Sequence, residues 1–215
     1  MFGISRDQIL TVLLMFVFAA AANAQDGFSV DSAKSPEIPG EIGAAGDKAE
    51  DAKQYLKDIE RDIANETDAE KIFEHMTDAA PAAYLVRDFA KARQYSTELL
   101  KRASEFKESW NYGNAVHIGN VVLGLVELTD GKDALAKEYL LKAGQTPGSP
   151  QLDTFGPNMM LARDFLAKGE RDVVIKYFDL CAKFWKGERG KLGDWKAAIN
   201  RNEMPDFGPN LKYGM

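Results

Sequence analysis

The sequence predicts an all-α fold, and three observations carry that prediction. From residue 48 onward, apolar residues recur at the three-and-four spacing of a single helix face. The alternating Val, Ile, Thr and aromatic runs that strands prefer do not occur in the same stretch. Short turn signals at Thr129-Asp130-Gly131 and Lys168-Gly169 separate helical segments by too few residues for anything but antiparallel neighbours. A chain of 215 residues with 45% hydrophobic and 28% charged content fits one globular domain. It excludes a collagen, a disulfide scaffold and a wholly disordered chain.

The N-terminus reads as an export signal. Arg6 precedes an apolar stretch from Ile9 to Ala22, and Ala22-Asn23-Ala24 places small residues where a signal peptidase cuts, so residues 1–24 are expected to leave the chain after Ala24. The apolar stretch is shorter than the roughly 20 residues that a spanning helix requires. No Cys follows it to carry a lipid. The expected product is periplasmic or secreted, with no stable membrane insertion after cleavage. Residues 25–47 mix Ser, Pro and Gly with isolated charges and read as a flexible linker. Residues 48–200 form the helical domain, and residues 201–215 a C-terminal tail.

Within the domain, the first helix is expected over residues 49–64. A second begins near Thr67, where Thr67-Asp68-Ala69-Glu70 has the spacing of a capping box, and its apolar stripe is Ala69, Ile72, Phe73 and Met76. Pro81 is expected to start a new helix or kink one, because its ring clashes with the preceding turn. Helical patterns follow over residues 84–106, 112–128, 132–143, 157–167 and 170–185. Phe155-Gly156-Pro157-Asn158 recurs as Phe207-Gly208-Pro209-Asn210. Pro at a first helical position and a permissive Gly before it make local structure the plainer role of both copies.

Charge narrows the partners. A net charge of -6 argues against nucleic acid, whose binders carry a basic footprint. Residues 25–78 hold 15 acidic and 6 basic side chains and residues 79–215 hold 17 and 20, so the two parts can attract one another or be separately solvated. The single Cys181 lies among Phe178, Leu180 and Phe184 and reads as a buried thiol. Trp185 and Trp195, beside Lys186, Arg189 and Lys191, read as the buried side of a closing helix.

The turns reveal an internal repeat. Arg87-Asp88, Gly131 and Gly169 each stand before an amphipathic helix, with Ala92, Ala136 and Val174 five residues after Arg87, Gly131 and Gly169. The middle copy runs Gly124, Gly131, Ala136, Leu140, Ala143 and Pro147. The last runs Ala162, Gly169, Val174, Phe178 and Cys181. This arrangement, over about residues 68–186, resembles the tetratricopeptide repeat, a helix-turn-helix unit with small residues where its helices cross. The turns are 44 and 38 residues apart, longer than the family's 34, and the first copy has Arg87-Asp88 in place of Gly. The resemblance implies about three degenerate repeats in a right-handed α-solenoid. It also implies a concave face lined by the first helix of each pair, with Val121, Leu125, Met159 and Arg163 as binding residues for a peptide carrying apolar anchors and one acidic group. The acidic helices between residues 49 and 76 could equally fold back over that groove as a cap.

Catalytic signatures are sparse. His75 and His117 are the only histidines, without the spacing of a metal motif, and no nucleophile elbow, phosphate loop or dinucleotide fingerprint occurs, so no cofactor is expected. His117 shares a helical face with Asn114 and Asn120, where hydrogen bonding between helices is the plainer role. Two readings of function follow. The first is an exported, non-enzymatic adaptor or scaffold for a protein or peptide partner, in a bacterial cell envelope. The second is a secreted helical-bundle enzyme or small-ligand-binding protein with a site near Asn114, His117 and the loop over residues 149–158. A deep enclosed pocket separates the second reading from the open groove of the first.

Overall fold

A computed structural model describes residues 41–215, and side chains from residue 50 onward. The expected signal segment, and the linker as far as residue 40, lie outside the described residues. The described chain is all-helical. Its α-helices in order are α1 (Glu41–Asn65), α2 (Ala69–Leu85), α3 (Phe89–Ala103), α4 (Tyr112–Thr129), α5 (Asp133–Gly144), α6 (Pro150–Phe155), α7 (Met160–Ala167), α8 (Arg171–Cys181) and α9 (Lys191–Asn200). Single 3₁₀ turns occupy Lys186–Glu188 and Gly208–Leu211.

Several boundaries differ from the sequence reading. The first helix begins at Glu41, so residues 41–47 belong to α1 and not to a linker. The cap of α2 is Asp68, whose carboxylate accepts from the Glu70 and Lys71 backbone N–H groups. Glu66 accepts from the Thr67 and Asp68 N–H groups, so two acids do the work expected of a Thr-Glu box. Pro81 does not start a new helix; it is buried inside α2. A proline within a helix costs about 3 kcal/mol. Burial of Phe73 and Met76 on the same helix returns about 1.5–3 kcal/mol each, so tertiary packing carries the helix past the proline.

Three helix-turn-helix pairs, α2/α3, α4/α5 and α7/α8, share one turn. In each, a residue with positive φ follows the first helix: Arg87 at 64°, Gly131 at 75° and Gly169 at 79°. The next residue's N–H then reaches five positions back along the chain, Asp88 to Ala83 O, Lys132 to Glu127 O and Glu170 to Phe165 O, each at 2.9 Å. The end of α9 repeats the device, with Asn202 at φ 63° and Glu203 N–H on Ala198 O at 2.9 Å. Residues five, nine and twelve after each of the first three turns are all fully buried: Ala92, Ser96 and Leu99; Ala136, Leu140 and Ala143; Val174, Phe178 and Cys181. Equal burial at equal offsets means that the second helix of each pair presents the same face inward.

Longer connections do structural work of their own. The loop before α6 passes so close to α4 that a Cβ on Gly113 would lie 1.7 Å from the Gly148 carbonyl oxygen, and Thr146 Oγ1 donates to Gly113 O at 2.7 Å. Residues 201–215 are not a loose tail. Phe207 and Asn210 are buried, and Phe207 packs edge-on to Trp195 with ring centroids 4.9 Å apart. Trp185, Trp195 and Phe178 complete this aromatic cluster, as the sequence reading of a buried closing helix expects.

Candidate functional site

A concave pocket of about 380 Å³ opens on the side of the molecule formed by α2, the start of α4, α6 and the C-terminal segment. Each wall follows from local sequence. On α2, Phe73 and Met76 turn to the core, which leaves Glu74, His75, Thr77 and Asp78 for the pocket. On α4, Asn111, Asn114 and Ile118 fall on one face at helical spacing, with His117 beside them and the half-exposed Trp110 just before the helix. Gln151 and Leu152 come from α6, and Tyr213 and Gly214 close the side.

Side-chain amides and hydroxyls hold the walls together. Asn111 Nδ2 donates to Thr77 Oγ1 at 2.8 Å and joins α2 to α4. Asn114 Nδ2 donates to Asn111 Oδ1 at 3.2 Å and to Gln151 Oε1 at 3.4 Å. Ser149 Oγ, which also caps α6, donates to Asn114 Oδ1 at 2.5 Å. Thr77 in turn donates to Phe73 O. The network spans three elements and leaves these groups mutually satisfied.

His117 is buried under the pocket with both ring nitrogens occupied. The Asn158 backbone N–H donates to Nε2 at 3.0 Å, which requires a bare Nε2 and places the proton on Nδ1, where it is donated to Ala143 O at 3.1 Å. Burial lowers the His117 pKa to about 4, against the smaller opposing effect of the Ala143 carbonyl. A neutral ring with no free nitrogen can neither ligate a metal nor shuttle a proton. It ties α4 to the end of α5 and to the segment before α7. Among the described residues, no three His, Cys, Asp or Glu side chains converge as a metal site.

The two Phe-Gly-Pro-Asn copies meet behind the pocket. Asn210 Nδ2 donates to both Phe155 O and Pro157 O at 3.0 Å, Asn158 Nδ2 donates to Tyr213 O at 2.8 Å, and Met159 N–H donates to Asn210 O at 2.8 Å. The Phe155 and Tyr213 rings pack 5.4 Å apart. Asn210 satisfies the backbone of the first copy and Asn158 that of Tyr213 just after the second, a structural role for a motif whose Pro residues carry no N–H.

The residues expected to line a groove are placed differently. Val121, Leu125 and Met159 are fully buried, and α4 packs against α2, α3, α5, α6 and α7, so none of the three can touch a partner. The face of α4 assigned to a groove is occupied by α7: a Cβ on Gly124 would sit 2.3 Å from Leu161 Cδ2. Arg163 is half-exposed, but its guanidinium is bound to Asp164 Oδ1 at 2.8 and 3.0 Å. The acidic N-terminal helix lies along α2 and α3, with Glu60 accepting from Lys91 Nζ at 2.7 Å and from Tyr95 Oη at 3.0 Å; the C-terminal segment is what closes the pocket. Asn114, His117 and the loop over residues 149–158 do come together. Glu74, Thr77, Asp78, Trp110 and Tyr213 escaped sequence reasoning; the spacing of Asn111, Asn114 and Ile118 was the signal available.

Comparison of the chain with protein-family models, with curated proteins and with solved structures gives no match.

Proposed function

We propose that this chain is an exported helical-repeat adaptor of tetratricopeptide type, periplasmic or secreted, that holds a segment of a protein partner in the pocket over α2, α4 and α6. The observation that carries the reading is the pocket's place: it opens on the first helices of two successive pairs, with a half-exposed Trp110 at its edge. The shared turn and the equal burial at equal offsets support a solenoid of about three repeats. The Arg6 to Ala24 segment supports export.

The test uses the full chain, expressed and processed in its own host, as bait for the exported proteins of that host. A partner recovered by the native chain and lost with Trp110→Ala supports the adaptor; one recovered equally by both variants places binding elsewhere. A mature N-terminus at Gln25 in the extracytoplasmic fraction supports export, and full-length chain in the cytoplasm refutes it.

A second reading, a small-ligand-binding protein, is favoured by the pocket's volume of about 380 Å³, within the range that encloses small molecules. In that reading His117 shapes the site and does not exchange protons, because both its ring nitrogens are spent on backbone groups.

A further inference from the structure

The pocket has an uneven supply of hydrogen-bonding capacity. Thr77, Asn111, Asn114 and Ser149 spend their donors on one another and on backbone, and His117 is fully engaged. Among the described residues, no Lys or Arg lines the walls. His75, Gln151 and Tyr213 also face the space, and its carboxylates are Glu74 and Asp78, one helical turn apart on α2, neither of which enters an ion pair or side-chain hydrogen bond among the described residues.

Several carboxylates elsewhere in the fold are paired. Glu60 is taken by Lys91, Glu127 by Arg93 and Lys132, Asp133 by Lys168 and Glu170 by Lys137, each pairing bridging different parts of the fold. Asp51, Glu70, Glu105, Glu108, Asp172 and Asp194 are likewise unpaired among the described residues, and what distinguishes Glu74 and Asp78 is that they line this pocket. Beside them stand an exposed indole, Trp110, and an apolar floor of Ile118 and Leu152. An aromatic face attracts a cation, and an apolar floor suits the methylene stem that carries one.

We propose that the pocket takes a lysine or arginine side chain of a partner peptide, its charged head at Glu74 and Asp78 and its stem over Ile118, Leu152 and Trp110. The inference rests on the reading of this pocket as the binding surface. It reverses the polarity that the sequence implied, since Arg163 is committed to Asp164 and the pocket itself is acidic. Loss of water around Asp78 raises its pKa, with Glu74 adding to the rise and His75 opposing it, and an arriving cation relieves that strain on the charged form.

The test is titration of the full chain with four capped tripeptides, acetyl-Gly-X-Gly-amide with X as Arg, Lys, Gln or Glu, followed by tryptophan fluorescence. Trp110 is half-exposed while Trp185 and Trp195 are buried, so a surface event is read by Trp110, and Trp110→Ala identifies its share of the signal. The Arg and Lys peptides are expected to saturate, and to weaken about tenfold or more in the double variant Glu74→Gln/Asp78→Asn, whose circular dichroism checks that it folds. Added salt should weaken the native interaction further. The inference is overturned if the Gln or Glu peptide binds as tightly, if the folded double variant binds the Arg peptide unchanged, or if no peptide saturates. In each case the host pull-down with Trp110→Ala still decides whether the pocket is the binding surface.

Discussion

Replacing His117 by Gln should change how stability responds to acid, by an amount that follows from the ring's burial. In the folded chain His117 holds its neutral form down to about pH 4, whereas in the unfolded chain it takes up a proton near the ordinary imidazole value of about 6.5. Between those values the unfolded state binds the extra proton, so stability is complete above about pH 6.5 and falls as the pH drops towards 4. From about pH 7.5 to about pH 5 this one group withdraws about 2 kcal/mol, before other groups contribute. The Gln variant loses the bonds to Ala143 and Asn158 and starts less stable, but it lacks the titration. Urea unfolding of both chains at the two pH values should therefore show the stability gap narrowing by about 2 kcal/mol in acid. A gap that stays constant, or a His117 ring resonance that titrates near pH 6.5 in the folded protein, refutes the assignment of His117 as a buried, neutral tie.

Other outcomes follow from the same contacts. Gly113→Ala should destabilise by about 3 kcal/mol or more, because its Cβ meets the Gly148 backbone and no flexible side chain can yield; a chemical melt with an unchanged midpoint contradicts that close approach. Asn210→Ala leaves the Phe155 and Pro157 carbonyls without their donor and should cost about 1–3 kcal/mol, with amide exchange and protease cutting rising first over residues 205–215. Asp78→Asn should raise the unfolding midpoint at neutral pH, since surroundings that lift a carboxyl pKa disfavour its charged form; a lower midpoint would mean that the carboxylate supports the fold. Cys181 is fully buried, and desolvation drives its pKa far above the ordinary thiol range, so a thiol reagent should label it only at the rate of unfolding.

Local signals were legible and long-range ones were not. Gly131 and Gly169 mark their turns because glycine enters the left-handed region without cost, and both turns lie where the sequence sets them. Arg87 takes the same conformation without a glycine to mark it, and only its alignment with the other two turns pointed to it, since a side chain there is tolerated only when the packed pair on either side holds it. Pro81 reads in sequence as a helix start or a kink, and it is carried inside α2 by buried neighbours whose contribution no local window contains. The paired Phe-Gly-Pro-Asn copies were visible as letters, but their mutual hydrogen bonds join residues more than fifty positions apart.

The sequence by itself determined the helical class, the helix-turn-helix pairs and the inward face of each second helix, because helix periodicity and turn chemistry act within a few residues. Tertiary structure alone decided which face stays open. Val121, Leu125 and Met159 have the apolar character of either a groove or a core, and only the approach of α7 and the wrapped C-terminal segment made them core. The pocket draws its walls from residues 74 to 214. Its acidity depends on Glu74 and Asp78 remaining beyond the reach of every lysine and arginine that neutralises their counterparts elsewhere, a property of distance in the folded chain and not of order along it.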